Sequence, residues 1–186
     1  MRGTTVLRRY LLMSCLIFVA IVTLGQSDDS TVRKEIDQAY ERLNLANQQG
    51  DLDAVLAMKT SDFHSIFPGG TIGDYETMKQ YSERFMKNNS KGLQIKITIQ
   101  KLTVSEHRLI AIAEVLQEAV RPRELSGKTR ELRTSVVQRE TWSRTKEGWK
   151  LKSVDDVHDA KTFVDGKRMD PTKPYDPDAP PFVPPN

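Results

Sequence analysis

Residues 93–99 read Leu93-Gln94-Ile95-Lys96-Ile97-Thr98-Ile99. The alternation is strict, so Leu93, Ile95, Ile97 and Ile99 share one face and the polar residues share the other. That is the pattern of a β-strand with one wet face. The chain stays β-rich beyond it. Leu109 to Val120 is apolar on both faces at its start, which places it inside a sheet. Leu132 to Arg144 reads as another long strand. Lys146-Glu147-Gly148 is a tight turn into a further one, Trp149 to Val154. Neighbouring strands joined by short turns form an antiparallel meander.

Upstream of Leu93 the period changes from two to between three and four. Val32, Ile36, Tyr40 and Leu43 make an apolar stripe on a helix over residues 31–49, with Ser30 as its cap and Gly50 as its stop. Asp51 caps a short second helix that carries Leu52, Val55 and Leu56. Asp62 to Phe67 alternates as a strand, with Phe63, Ser65 and Phe67 on one face and His64 and Ile66 on the other. Pro68-Gly69-Gly70 turns the chain. Asp74 then caps a third helix with a stripe of Tyr75, Met78, Tyr81 and Phe85. Helices first and a meander after them make an α+β domain.

The two ends differ from this middle. Arg2, Arg8 and Arg9 precede an apolar run of 15 residues, Tyr10 to Leu24, followed by Gly25, Gln26 and a polar stretch. A basic start, a short apolar centre and a small-residue exit describe a signal peptide over residues 1–26. The run is shorter than the ~20 residues of a spanning helix, so no stable membrane span is expected after cleavage. A secreted or periplasmic protein follows. Retention through the N-terminal segment, or lipidation at Cys15, is the lesser alternative. At the other end, seven of the nine prolines fall in residues 170–186. Residues 169–186 therefore read as an extended or disordered tail, or else as a strap that packs Tyr175 and Phe182 onto the domain. Residues 27–168 form the domain itself.

Removing the leader changes the chemistry left to the chain. The whole sequence has 28 Lys and Arg against 25 Asp and Glu, and the leader holds three Arg and no acid, which leaves 25 against 25. No basic excess argues for nucleic acid as a partner. The single cysteine, Cys15, leaves too, and with it disulfide and thiolate chemistry. Ser126-Gly127-Lys128-Thr129 imitates the end of a phosphate-binding loop. However, Pro122 stands where that motif needs a glycine, and no helix follows. No cofactor is implied.

Three features together resemble a known family. They are Gln49-Gly50-Asp51-Leu52-Asp53-Ala54 after the first helix, a strand opening Ser61-Asp62-Phe63, and a meander ending Glu147-Gly148-Trp149-Lys150-Leu151. This order is similar to the nuclear transport factor 2-like superfamily, in particular its SnoaL-like and steroid-isomerase-like small domains. The resemblance implies a cone-shaped, curved antiparallel sheet wrapped around the N-terminal helices, with a pocket at its wide end. It also implies a homodimer through the outer face of the sheet. Members of the superfamily include isomerases, dehydratases, hydrolases and cyclases, as well as domains that only bind ligands.

Candidate site residues follow. By the resemblance, His64 stands on the first strand roughly where steroid-isomerase-like members hold a general base, although those members use aspartate. Tyr40 stands where such members place an oxyanion donor. Asp155 shares a face of the last strand with Trp149, Leu151 and Ser153 by the two-residue period, and can orient His64 unless a bulge after Val154 flips the register. Trp142, Tyr81, Phe63 and Glu140 are candidate ligand contacts. The plainer reading makes Trp142 core and Glu140 and Arg139 cross-strand ion partners. Asp155, His158 and His64 are a chemically adequate but poorly spaced metal set, so no metal is expected. Two functions fit: a domain binding a small apolar or mixed-polarity molecule, or a cofactor-free lyase, isomerase or hydrolase using His64, Asp155 and Tyr40.

Overall fold

The computed structural model describes residues 29–67, 70–89, 92–105 and 107–184. The leader with Cys15, and Pro68-Gly69 of the glycine turn, lie outside the described residues. The chain divides into two units, residues 1–37 and 38–186. The described part of the first unit is the opening turns of helix α1 (29–49), where Val32 and Ile36 are buried. Ser30, read above as a cap, lies inside this helix.

The second unit continues α1 and holds every other element. Gly50, at φ 69°, closes α1 in the left-handed region. The Gly50 amide donates to the Asn47 carbonyl and the Asp51 amide to the Ala46 carbonyl, which satisfies the last helical acceptors. Asp51 then accepts from the Ala54 amide and starts α2 (Leu52–Ala57). Strand β1 (Lys59–Ile66) and the short β2 (Ile72–Gly73) lead to α3 (Tyr75–Asn89), whose first turn is held by the Thr77 amide on the Asp74 carboxylate. Then come β3 (Gln94–Val104), β4 (Ile110–Leu125), β5 (Lys128–Thr145), β6 (Gly148–Val164) and β7 (Lys167–Arg168).

The strands form one curved, unclosed sheet in the order β2-β1-β6-β5-β4-β3, with β7 paired to β6. The meander β3 to β6 is antiparallel throughout. One pairing departs from the all-antiparallel expectation: β1 runs parallel to β6, with His64 beside Ser153. No hairpin joins these two strands, so no turn dictates their relative direction. The hairpin strands are longer than the sequence pattern suggested. Ser126 (φ 52°) and Gly127 (φ 73°) form the two-residue turn between Leu125 and Lys128. Positive φ at both positions matches the right-handed twist of the strands. The imitation phosphate loop is thus a hairpin tip.

The interior of the sheet rests on β4 and β5. Ala111, Ala113 and Val115 are fully buried, as is Trp142, and Glu140 is only 2% exposed. The register sets Ala111 opposite Trp142 and Ala113 opposite Glu140. Two small side chains leave the space that two large ones fill. Residues 169–184 contain no helix or strand. Arg130 stands over the Tyr175 ring at 5.7 Å, Arg168 over Phe182 at 5.5 Å, and the Phe182 amide donates to the Arg168 carbonyl.

Candidate functional site

A cavity of about 240 Å³ opens within the second unit. Leu43, Asn44 and Asn47 line it from α1, Val55 from α2 and Lys59 from the start of β1. Met78, Tyr81, Ser82 and Phe85 line it from α3, with Ile95 and Ile97 from β3 and Gln117 from β4. Two stripes that the sequence marked as apolar converge here. Met78, Phe85, Ile95 and Ile97 are only half-buried, and Tyr81 is 52% exposed and stacks on Phe85 at 6.4 Å. Their apolar surface meets the cavity. Ile99, two residues farther along the same face of β3, is buried in the core.

Beside the cavity lies a buried polar cluster. Tyr40 Oη donates to Glu140 Oε2 at 2.5 Å, and Trp142 Nε1 donates to the same oxygen at 3.1 Å. Gln138 Nε2 donates to Glu140 Oε1 at 2.6 Å. The Tyr40 and Trp142 rings meet edge to face at 5.0 Å. Burial pushes the Glu140 carboxyl above its ordinary range, and the three hydrogen bonds together with the field of Lys59 oppose that shift. Lys59 moves the other way. Burial lowers its amine to about 8, partly offset by attraction to Glu140. Its Nζ lies 5.4 Å from the Phe63 ring centroid. Chemically, the cluster is a carboxyl fixed by three neutral donors, and the cavity wall beside it carries a desolvated amine.

The sequence-derived candidates separate in space. Tyr40, Glu140 and Trp142 come together, although 100 positions separate Tyr40 from Glu140. Glu140 is no exposed ion partner of Arg139, because Ala113 leaves room for it inside the sheet. Arg139 instead reaches Asp156 at 4.0 Å. Tyr81 lines the cavity, and Phe63 is buried beneath Lys59. His64 is half-buried on β1 between two buried neighbours, Phe63 and Ser65, and so takes the opposite face of the strand. Asp155 Oδ2 accepts from Ser153 Oγ at 2.8 Å, while its Oδ1 is buried with no partner among the described residues. No hydrogen bond links His64 to Asp155, and neither residue lines the cavity. The strand does not bulge directly after Val154: Asp155 stays in register with it, and the bulges come beyond Asp155. Asp156 (φ 50°) and Asp159 (φ 52°) adopt left-handed conformations, and the β5–β6 register shifts there twice. The His158 ring donates from Nδ1 to the Asp156 carbonyl at 2.8 Å, which keeps it local. Among the described residues no group of three such side chains can hold a metal ion.

Sequence reasoning passed over Lys59. Its available signal was a single cation opening an otherwise β-rich segment, directly after a helix. Nothing in the sequence indicates that this position faces a cavity.

The profile of the SnoaL-like domain matches residues 36–155, more than half of the chain. The chain belongs to the SnoaL-like domain family. Solved structures share its fold, and one of them is described as nuclear transport factor 2-like. A conserved protein from Planctomyces limnophilus is 17% identical with a TM-score of 0.55, over 68% of this chain and 95% of that one. A protein from Kribbella flavida is 15% identical with a TM-score of 0.57, over 70% and 95%. A nuclear transport factor 2-like protein with a cystatin-like fold from Novosphingobium aromaticivorans is 18% identical with a TM-score of 0.50, over 72% and 85%. Identities this low speak for the fold of the SnoaL-like domain alone. Among curated proteins none matches the chain.

Proposed function

We propose that this SnoaL-like domain is an exported binding module for a small molecule of mixed polarity, held in the cavity between α1, α3 and β3. The observation that carries the reading is the wall itself. Leu43, Val55, Met78, Phe85, Ile95 and Ile97 give it an apolar surface, and a few polar groups, Lys59 among them, stand within it. Small-molecule sites are built in this way, mostly apolar with a few placed polar groups that fix orientation. The test is mass spectrometry of whatever co-purifies with the chain. A recurring small molecule, lost when Ile97→Trp fills the cavity, is the expected result. No retained molecule, or equal retention by Ile97→Trp, overturns the reading.

The proton-transfer alternative rests on His64, Asp155 and Tyr40, and the hydroxyl of Tyr40 is already engaged by Glu140. Export rests on the basic, then apolar leader. N-terminal sequencing of the secreted protein is expected to start beyond Gly25. Homodimerisation is the further proposal, and a clean monomer in sedimentation counts against it. Among the described residues no helix is long and apolar enough to cross a membrane.

A further inference from the structure

Among the described residues of the cavity wall, Lys59 is the one that carries a charge. Its amine stands over the face of Phe63 and feels the field of Glu140. Among the described residues it has no hydrogen bond and no ion pair. Glu140 does not touch it, being held by Tyr40, Gln138 and Trp142. A partly desolvated ammonium without an anion in contact gains from one, and a carboxylate placed on it forms a charge-assisted hydrogen bond.

We propose that the cavity takes a small amphiphile with a single carboxylate, which sits on Lys59 Nζ while the apolar part packs between Phe85, Ile95 and Ile97. This rests on the cavity being the binding site. A lone ammonium, with no arginine fork among the described residues of the wall, suits a monoanion better than a phosphate dianion. The guanidinium of Arg121 covers Phe85 at 5.3 Å without itself lining the cavity, so it adds no second ligand to the head group. The volume of about 240 Å³ falls below the ~300–1,000 Å³ of drug-sized sites, which favours a short chain over a membrane lipid.

The experiment compares octanoate with octanol by isothermal titration calorimetry on the full chain and on Lys59→Met and Lys59→Arg. The wild type is expected to bind octanoate at least tenfold more tightly than octanol. Lys59→Met should lose that preference while its octanol affinity stays within twofold, and Lys59→Arg should keep most of the preference. Equal binding of the two probes by the wild type overturns the carboxylate proposal and leaves the cavity reading standing. So does a preference that survives in Lys59→Met. The wild-type comparison alone decides the matter if a variant does not fold. Binding of neither probe overturns the proposal, and the co-purification experiment then separately decides the cavity reading.

Discussion

β5 and β6 lie side by side in the sheet, and each carries acidic residues in mid-strand. They handle them in opposite ways. Along β5 the ladder to β4 runs without a shift from Ser143 to Lys128, and Glu140 faces inward opposite Ala113. It is buried and receives three hydrogen bonds. Along β6 the left-handed residues Asp156 and Asp159 break the ladder to β5 twice, and Asp156, His158 and Asp159 are exposed. β5 carries two acidic residues, Glu131 and Glu140, and β6 three, Asp155, Asp156 and Asp159. What differs is the regularity of the strand: Glu140 stands in an unbroken ladder opposite Ala113 and is buried, whereas Asp156 and Asp159 fall where the register shifts and are exposed.

The largest test of this contrast is Glu140→Ala. It leaves the Tyr40 hydroxyl, the Trp142 ring N–H and the Gln138 amide without their shared acceptor, and a loss of about 3–5 kcal/mol in urea unfolding is expected. Glu140→Gln keeps an acceptor and should lose far less. The glutamine also changes the pH response. The folded chain holds the Glu140 proton above the ordinary carboxyl range, so it binds more protons than the unfolded chain as pH rises from about 4.5. The wild type therefore loses stability across that rise relative to Glu140→Gln.

Next in size is Lys59. Below pH 8 its amine is protonated in both states, and the folded chain bears the full burial cost. Above 10.5 it is neutral in both. Between these values the unfolded chain binds more protons, so the contribution of Lys59 to stability improves with pH by on the order of 3 kcal/mol. Thermal melts from pH 7 to 10.5 should show Lys59→Met ahead of the wild type at pH 7, with the gap closing upward. A constant gap breaks the assignment. Tyr40→Phe should cost about 1.5–2 kcal/mol, the value of a hydrogen bond to a charged or strongly polarised acceptor. On β6 the effects should be small. His158→Ala is expected within about 0.5 kcal/mol of wild type, as for an exposed residue, and a loss above 2 kcal/mol would erase the contrast between the strands.

Much of the fold was legible because its signals are local. The alternation of Leu93 to Ile99, the Asp51 and Asp74 caps, the stop at Gly50 and the hairpin turns each depend on a few adjacent residues. The candidate site was legible only in part. Tyr40, Trp142 and Glu140 were marked singly, but their union needs α1 laid on β5. The exposed-ion-pair reading of Glu140 failed because strand parity does not reveal that its cross-strand neighbour is Ala113. His64 was placed by resemblance and Asp155 by a two-residue period, and neither can state whether two strands run parallel or which side chains reach a cavity.

By itself the sequence determined the order of helices and strands, the apolar faces, the basic and then apolar N-terminal stretch, and a chain free of cysteine after Cys15. Those properties follow from backbone periodicity, capping and composition, and are written within a few residues of where they act. Only the tertiary structure decided that β1 runs parallel to β6, and that Ile95 and Ile97 line a cavity while Ile99 joins the core. It also decided that Lys59 and Glu140 modulate each other's ionisation. Burial and electrostatic coupling are properties of distance in space, and the residues that share this site are separated along the chain by whole strands.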